Sequence, residues 1–284
     1  MRKSALMIDS LLTPGKSLIS FNEFEEILDD TDLNDESFFL VIAEILNSPF
    51  WRSLDYHNNP YKTLCLDLAK EIDSLAKIQV EPAYHSRLHF KDVCLVISCL
   101  LMQEENLTLN SDSNTWICST EEKWLLLLAA IAHDFYHPGL INKTPLEIEK
   151  NSLRMLELFL TRENLNDDLK KSIIDRLTPW ILATHPDDYL QLHKNLANRV
   201  NDHESKLAML LVEADLFSSS LPTKGLKLSA RLAEELKNSS PSKSDIVKST
   251  EGRLAFLKHI KFVSPHALAL KFEEIRKKSI ADLT

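Results

Sequence analysis

Apolar residues recur at three- and four-residue spacing along most of this chain, a period that predicts helices. The segments that carry it lie near 21–47, 61–78, 86–105, 121–134, 145–163, 167–184, 203–217, 224–237, 250–262 and 265–280. Pro82, Pro138, Pro179, Pro186, Pro222, Pro241 and Pro265 fall at or near the breaks, where helices tend to stop. Pro179 has two readings, a kink within a helix or its first turn. Two polar stretches, Asn106–Thr120 and Asn238–Thr250, read as exposed loops too short to be clear interdomain linkers. No internal repeat is present. The pattern predicts one all-α domain over residues 1–284, with residues 1–50 as a candidate N-terminal helical extension.

Composition strengthens the helical reading. The 284 residues include four glycines, Gly15, Gly139, Gly225 and Gly252, against a usual share of roughly 7%. Sheet-rich folds use glycine in turns and bulges. A dinucleotide-binding G-x-G-x-x-G needs three within six residues. Four widely spaced glycines exclude that fingerprint and a Walker loop as well. The longest apolar run, Trp124–Ala132, spans nine residues, whereas a membrane span needs about twenty. The start, MRKSALMIDSLL, reaches Asp9 after four apolar residues, too few for the apolar region of a signal peptide. Cys65, Cys94, Cys99 and Cys118 show no C-x-x-C spacing and read as reduced thiols of a cytoplasmic protein. A net charge of −9 argues against nucleic acid as a partner. It leaves open a phosphorylated small molecule, because a bound metal supplies local positive charge.

Histidine placement carries the chemistry. Five of ten histidines cluster, as His85 with His89, His133 with His137, and His185; His57, His193, His203, His259 and His266 read as surface or packing residues. On a helix, His85 and His89 share a face with Val93, Val96, Ile97 and Leu100, so both imidazoles turn toward the interior. Two hydrogen-bonded core histidines would satisfy that pattern equally well. His133 and Asp134 end the most apolar segment of the chain, and Pro138-Gly139 is expected to stop that helix. A capping histidine explains His137 but not a buried His-Asp pair, which a divalent ion would compensate. Asp215 shares a stripe with Ala208 and Leu211. It must there be paired, protonated or metal-bound.

With their flanking residues, these pieces resemble the HD superfamily of metal-dependent phosphohydrolases, and more narrowly the class I cyclic-nucleotide phosphodiesterase catalytic domain. YHSRLHFKDV (84–93) is similar to that family's Y-H-N-x-x-H-x-x-D-V, and HDFYHPGLIN (133–142) matches every defined position of H-D-x-x-H-P-G-x-x-N. ILATHPDDY and EADLFSSSLP resemble its A-T-D and A-D-L segments, and the likeness covers roughly residues 50–275. The resemblance implies a compact multi-helix bundle with a metal site in its core. It implies that His89, His133, Asp134 and Asp215 hold a tightly bound ion, zinc by expectation. Asp134 would bridge to a second ion, magnesium or manganese. His85 would be the general acid that protonates the leaving O3′, His137 and Glu149 would support the network around the attacking water, and Tyr84, Thr184, Ser218, Arg253 and Phe256 would line the substrate pocket. The implied reaction is hydrolysis of a 3′,5′-cyclic nucleotide to the 5′-monophosphate.

Four departures bear on the substrate. Ser86 replaces the family's asparagine, His185 the aspartate of A-T-D, and Ser218 an asparagine that contacts the base. Arg253 stands where the family has the glutamine that grips the purine, three residues before Phe256. Arginine has only donors, whereas glutamine offers a donor and an acceptor. The alternatives are therefore an HD phosphohydrolase acting on another nucleotide or phosphoester, with Arg253 on an extra phosphate, and a metal-binding regulatory protein without turnover. A homodimer is left open.

Overall fold

The computed structural model describes residues 3–15, 24–29, 37–104, 107, 116–197 and 202–284. These form an all-α bundle with no strand among them. The helices are α1 (Lys3–Leu11), α2 (Phe38–Leu46), α3 (Pro49–Ser53), α4 (Pro60–Ile78), α5 (Arg87–Met102), α6 (Thr120–Ala132), α7 (Glu147–Arg162) and α8 (Asp167–Leu182). There follow α9 (Pro186–Ala197), α10 (His203–Ser220), α11 (Pro222–Leu236), α12 (Pro241–Lys248), α13 (Thr250–His259), α14 (Pro265–Ala269) and α15 (Phe272–Ala281). Residues 24–29 are also helical. No helix among the described residues is long and apolar enough to cross a membrane.

Local chemistry sets many of the starts. Ser119 and Glu122 form a reciprocal capping box at α6, and the side chains of Asn166, Asp202 and Ser249 each accept a first-turn amide at α8, α10 and α13. Proline opens α4, α11, α12 and α14, where its missing N–H costs nothing. The helices α5, α6 and α10 pack on one another at the centre. Every residue from Trp124 to Ala132 is buried, as are His89–Met102 and Leu207–Ala214. A helix apolar on all sides belongs in the interior, and α2, α4, α8 and α11 pack against this trio.

Several expectations shift. The segment 21–47 is helical at 24–29 and over α2; residues 21–23 and 30–36 lie outside the described ones, as do 106 and 108–115 of the expected loop 106–120. The stretch 238–250, expected as a loop, contains α12, because Pro241 suits a first helical position and Ser244 Oγ ties the helix to Ala233 O at 2.6 Å. The segment 265–280 divides at Lys271, whose φ is +59°. Pro179 lies inside α8, while α3 and α9 carried no clear periodic signal. Described residues before α2 are built into the fold. Phe24 meets Phe217 edge-on at 5.6 Å, and the Glu25 carboxylate accepts the Thr223 and Lys224 amides at the start of α11. Lys224 Nζ in turn reaches Asp92 on α5 at 3.1 Å.

Candidate metal centre

Four side chains from the central trio converge. His89 stands in the first turn of α5, His133 caps the end of α6 with Asp134 directly after it, and Asp215 projects from α10. His89 Nε2 lies 3.3 Å from His133 Nε2, 3.0 Å from Asp215 Oδ1 and 3.6 Å from Asp134 Oδ2. His133 Nε2 lies 3.1 Å from Asp134 Oδ2 and 3.7 Å from Asp215 Oδ1. His133 Nδ1 donates to Ala130 O at 2.9 Å, which leaves Nε2 to face the other three side chains. Contrary to expectation, Pro138-Gly139 does not stop α6. The helix ends at Ala132, and Tyr136, at φ +64°, then takes the left-handed conformation. That early stop is what swings Asp134 beside His133.

Burial pulls the His89 imidazole down, yet the Asp134 and Asp215 carboxylates outweigh it and raise it to about 9. Against the same burial, chiefly Asp134 drives His133 well above its ordinary value. Burial pushes both carboxylates up, and the histidines outweigh it: His133 with His85 holds Asp134 well below the usual range, and His133 with His89 does so for Asp215. Two inward nitrogens and two carboxylates, with both histidines 1% exposed, therefore ask for positive charge at their common point. Protons can supply it, and so can a divalent ion, for which imidazole and carboxylate are ordinary ligands. The donor set fits such an ion.

His85 reaches the cluster by a route absent from the sequence reading. It precedes α5 rather than sharing a helical face with His89, and Glu235, at the far end of α11, places it. Glu235 Oε1 is 2.5 Å from His85 Nδ1, and Oε2 accepts the Tyr84 and His85 amides at 2.7 and 3.0 Å. Burial raises the Glu235 carboxyl, but the bond to His85 outweighs it and the net shift is downward. His85 Nε2 then stands 4.0 Å from Asp134 Oδ2. The His137 ring stacks on His85 at 3.6 Å, and its Nδ1 accepts the Gly139 amide. Burial, then the neighbouring His85, lowers His137 to about 4. Its neutral form thus carries the proton on Nε2. Nothing local in the sequence marks Glu235, which lies 150 residues from its partner.

The remaining expected residues divide. Tyr84 walls the site, its ring 4.8 Å from that of His89 and its hydroxyl 2.9 Å from Ser219 Oγ. Glu149 accepts from Asn142 Nδ2 at 3.1 Å, while Asn142 Oδ1 takes the Ile148 amide; Glu149 thus braces the loop after His137. Thr184 Oγ1 donates back to Ile181 O. Ser218 is buried, and its hydroxyl has no partner among the described residues. Phe256 packs against the core. Arg253 corrects the expectation of a substrate contact. It is 4% exposed and spends its guanidinium on Ser219 O, Leu221 O and Ser229 Oγ, stitching the α10–α11 turn.

Gly225 makes room for that guanidinium. A Cβ there would lie 2.5 Å from both Arg253 Nη2 and Ser219 O. Gly→Ala inside a helix ordinarily gains about 1 kcal/mol. Gly225→Ala is expected instead to cost about 1–3 kcal/mol by overpacking, read from the denaturant midpoint. A stabilised variant would contradict this packing.

Glu213, two residues before Asp215, is fully buried, and its Oε1 accepts the Val263 and Ser264 amides. Burial, opposed only in part by these bonds, raises its carboxyl to about 7. A folded-state pKa above the unfolded one lends stability that is complete below the unfolded value and fades as pH rises through the folded one. The native chain should therefore lose stability between about pH 4.5 and 7. Glu213→Gln, which keeps the acceptor and cannot ionise, should flatten that decline. Parallel unfolding curves for the two proteins across the window would refute the assignment.

No protein-family model and no curated protein matches this chain.

Proposed function

We propose that this chain is a metal-dependent phosphohydrolase that opens the phosphodiester of a 3′,5′-cyclic nucleotide to the 5′-monophosphate. The observation that carries the reading is the meeting of His89, His133 and Asp134, with Asp215 against both histidines and a third histidine, His85, turned toward Asp134 by its own carboxylate. His89, His133, Asp134 and Asp215 would hold a divalent ion, which when bound acidifies water and neutralises charge on phosphoryl oxygens. Glu235 accepts from His85 Nδ1 and holds the ring in place. Its Nε2–H is then the donor for the leaving O3′ as the P–O3′ bond breaks. His85 ends neutral, with Nδ1–H still on Glu235. His137, neutral and stacked on His85, offers an Nε2–H and fixes the ring plane.

The buried commitment of Arg253 favours a second, broader reading, in which the substrate is a phosphoester other than a cyclic purine nucleotide. Purified protein supplied with manganese or magnesium should be assayed on cyclic AMP, cyclic GMP, cyclic pyrimidine nucleotides and simple phosphomonoesters. Metal-dependent formation of a 5′-monophosphate supports the first reading, and turnover of monoesters alone supports the second. Metal-loaded protein inert to every member would leave a metal-binding protein without turnover.

A further inference from the structure

A cavity of about 340 Å3 opens beside the metal centre, between the end of α4 and the turn after α6. It is the size of a small-ligand site. One wall is His85, Asp134 and His137, so the recess shares Asp134 with the metal-ligand cluster. The other walls are carbon-rich: Ile72, Leu75 and Ala76 from α4, Phe90, and Phe135 with Tyr136. Val80, 98% exposed, stands at its mouth. Among the described residues no lysine or arginine lines it. Its one carboxylate outside the cluster, Glu81, is clamped by the Arg87 guanidinium and amide. Gln79 supplies an amide, both donor and acceptor.

We infer that this recess is the specificity pocket of the site and takes the organic group of the substrate, a phosphate ester carrying one uncharged, flat group of nucleobase or aryl size. The inference rests on the phosphohydrolase reading and deepens it. Beyond the His85–Asp134–His137 wall the described lining holds no lysine or arginine, and Arg253 is turned into the fold, so a second phosphate carried into the recess finds no partner there. Polyphosphate and dinucleotide substrates are selected against, since an unpaired charge taken from water is costly.

The test is equilibrium binding of two non-hydrolysable probes of equal charge, methylphosphonate and phenylphosphonate, to the manganese-loaded protein. Phenylphosphonate should bind at least about tenfold more tightly, a modest return for six added carbons, and a carboxylate on its ring should remove the advantage. Ala76→Trp, which fills the recess, should bring the phenyl-to-methyl ratio to about 1–2. Should that variant not fold, Val80→Asp, altering a fully solvated side chain, should lower the same ratio. Metal uptake and methylphosphonate binding with no phenyl advantage, or an advantage unmoved in the variants, would overturn the recess alone. No metal uptake and no binding of either probe would overturn the phosphohydrolase reading and the recess with it.

Discussion

If this chain is the phosphohydrolase proposed, Asp134→Asn should abolish divalent-metal binding and turnover. Asp134 Oδ2 faces His133, His89 and His85 at 3.1, 3.6 and 4.0 Å, so it belongs to every part of the centre. Asparagine keeps its shape, so the fold should survive, but it removes one of two negative charges. Outer-shell partners cost roughly 10–100-fold in metal affinity when lost. A ligand at the middle of the set should exceed the upper end of that range. Metal content measured on dialysed protein, and the thermal stabilisation that added manganese produces, both check this. Ligand at a hundred times its dissociation constant stabilises the native state by about 2.7 kcal/mol. The native chain should gain on that scale and the variant little. Full metal occupancy in Asp134→Asn would remove it from the ligand set.

The second large effect concerns proton delivery. His85→Ala should retain metal and lose about 10²–10⁴ in rate on an alkoxide leaving group, the usual range for a lost general acid. On bis(p-nitrophenyl) phosphate, whose leaving group needs no proton, the loss should nearly vanish. An equal loss on both substrates would assign His85 to something other than acid catalysis. Glu235 acts through His85, and Glu235→Gln tests that role. With that carboxylate charge removed, the rate on the alkoxide substrate should fall at unchanged metal content, while the rate on bis(p-nitrophenyl) phosphate holds. An equal loss on both substrates would leave Glu235 with a merely structural task, holding the Tyr84 and His85 amides.

Helix type was legible because the 3.6-residue period is a local property. The runs that became α4, α6, α7 and α8 appear at nearly their observed bounds. α12 was not legible, since its polar face imitates a loop until Ser244 is seen bonded to Ala233. In the site, spacing marked His89, His133 and Asp215 as polar residues on apolar faces, and the structure brings these together with Asp134. The helical argument for His85 did not hold, because α5 starts after it. Arg253 shows a limit of another kind: its position in a motif does not say which way a long side chain points.

By itself the sequence determined the helical class and the residue types able to bind a divalent ion, because both depend on side chains a few positions apart. Only the tertiary structure decided that Glu235 grips His85, that Arg253 serves the α10–α11 turn, and that a carbon-lined recess adjoins the cluster. Each joins groups far apart in the chain. Such contacts follow from the packing of α5, α6 and α10 with the helices around them, which no local pattern encodes.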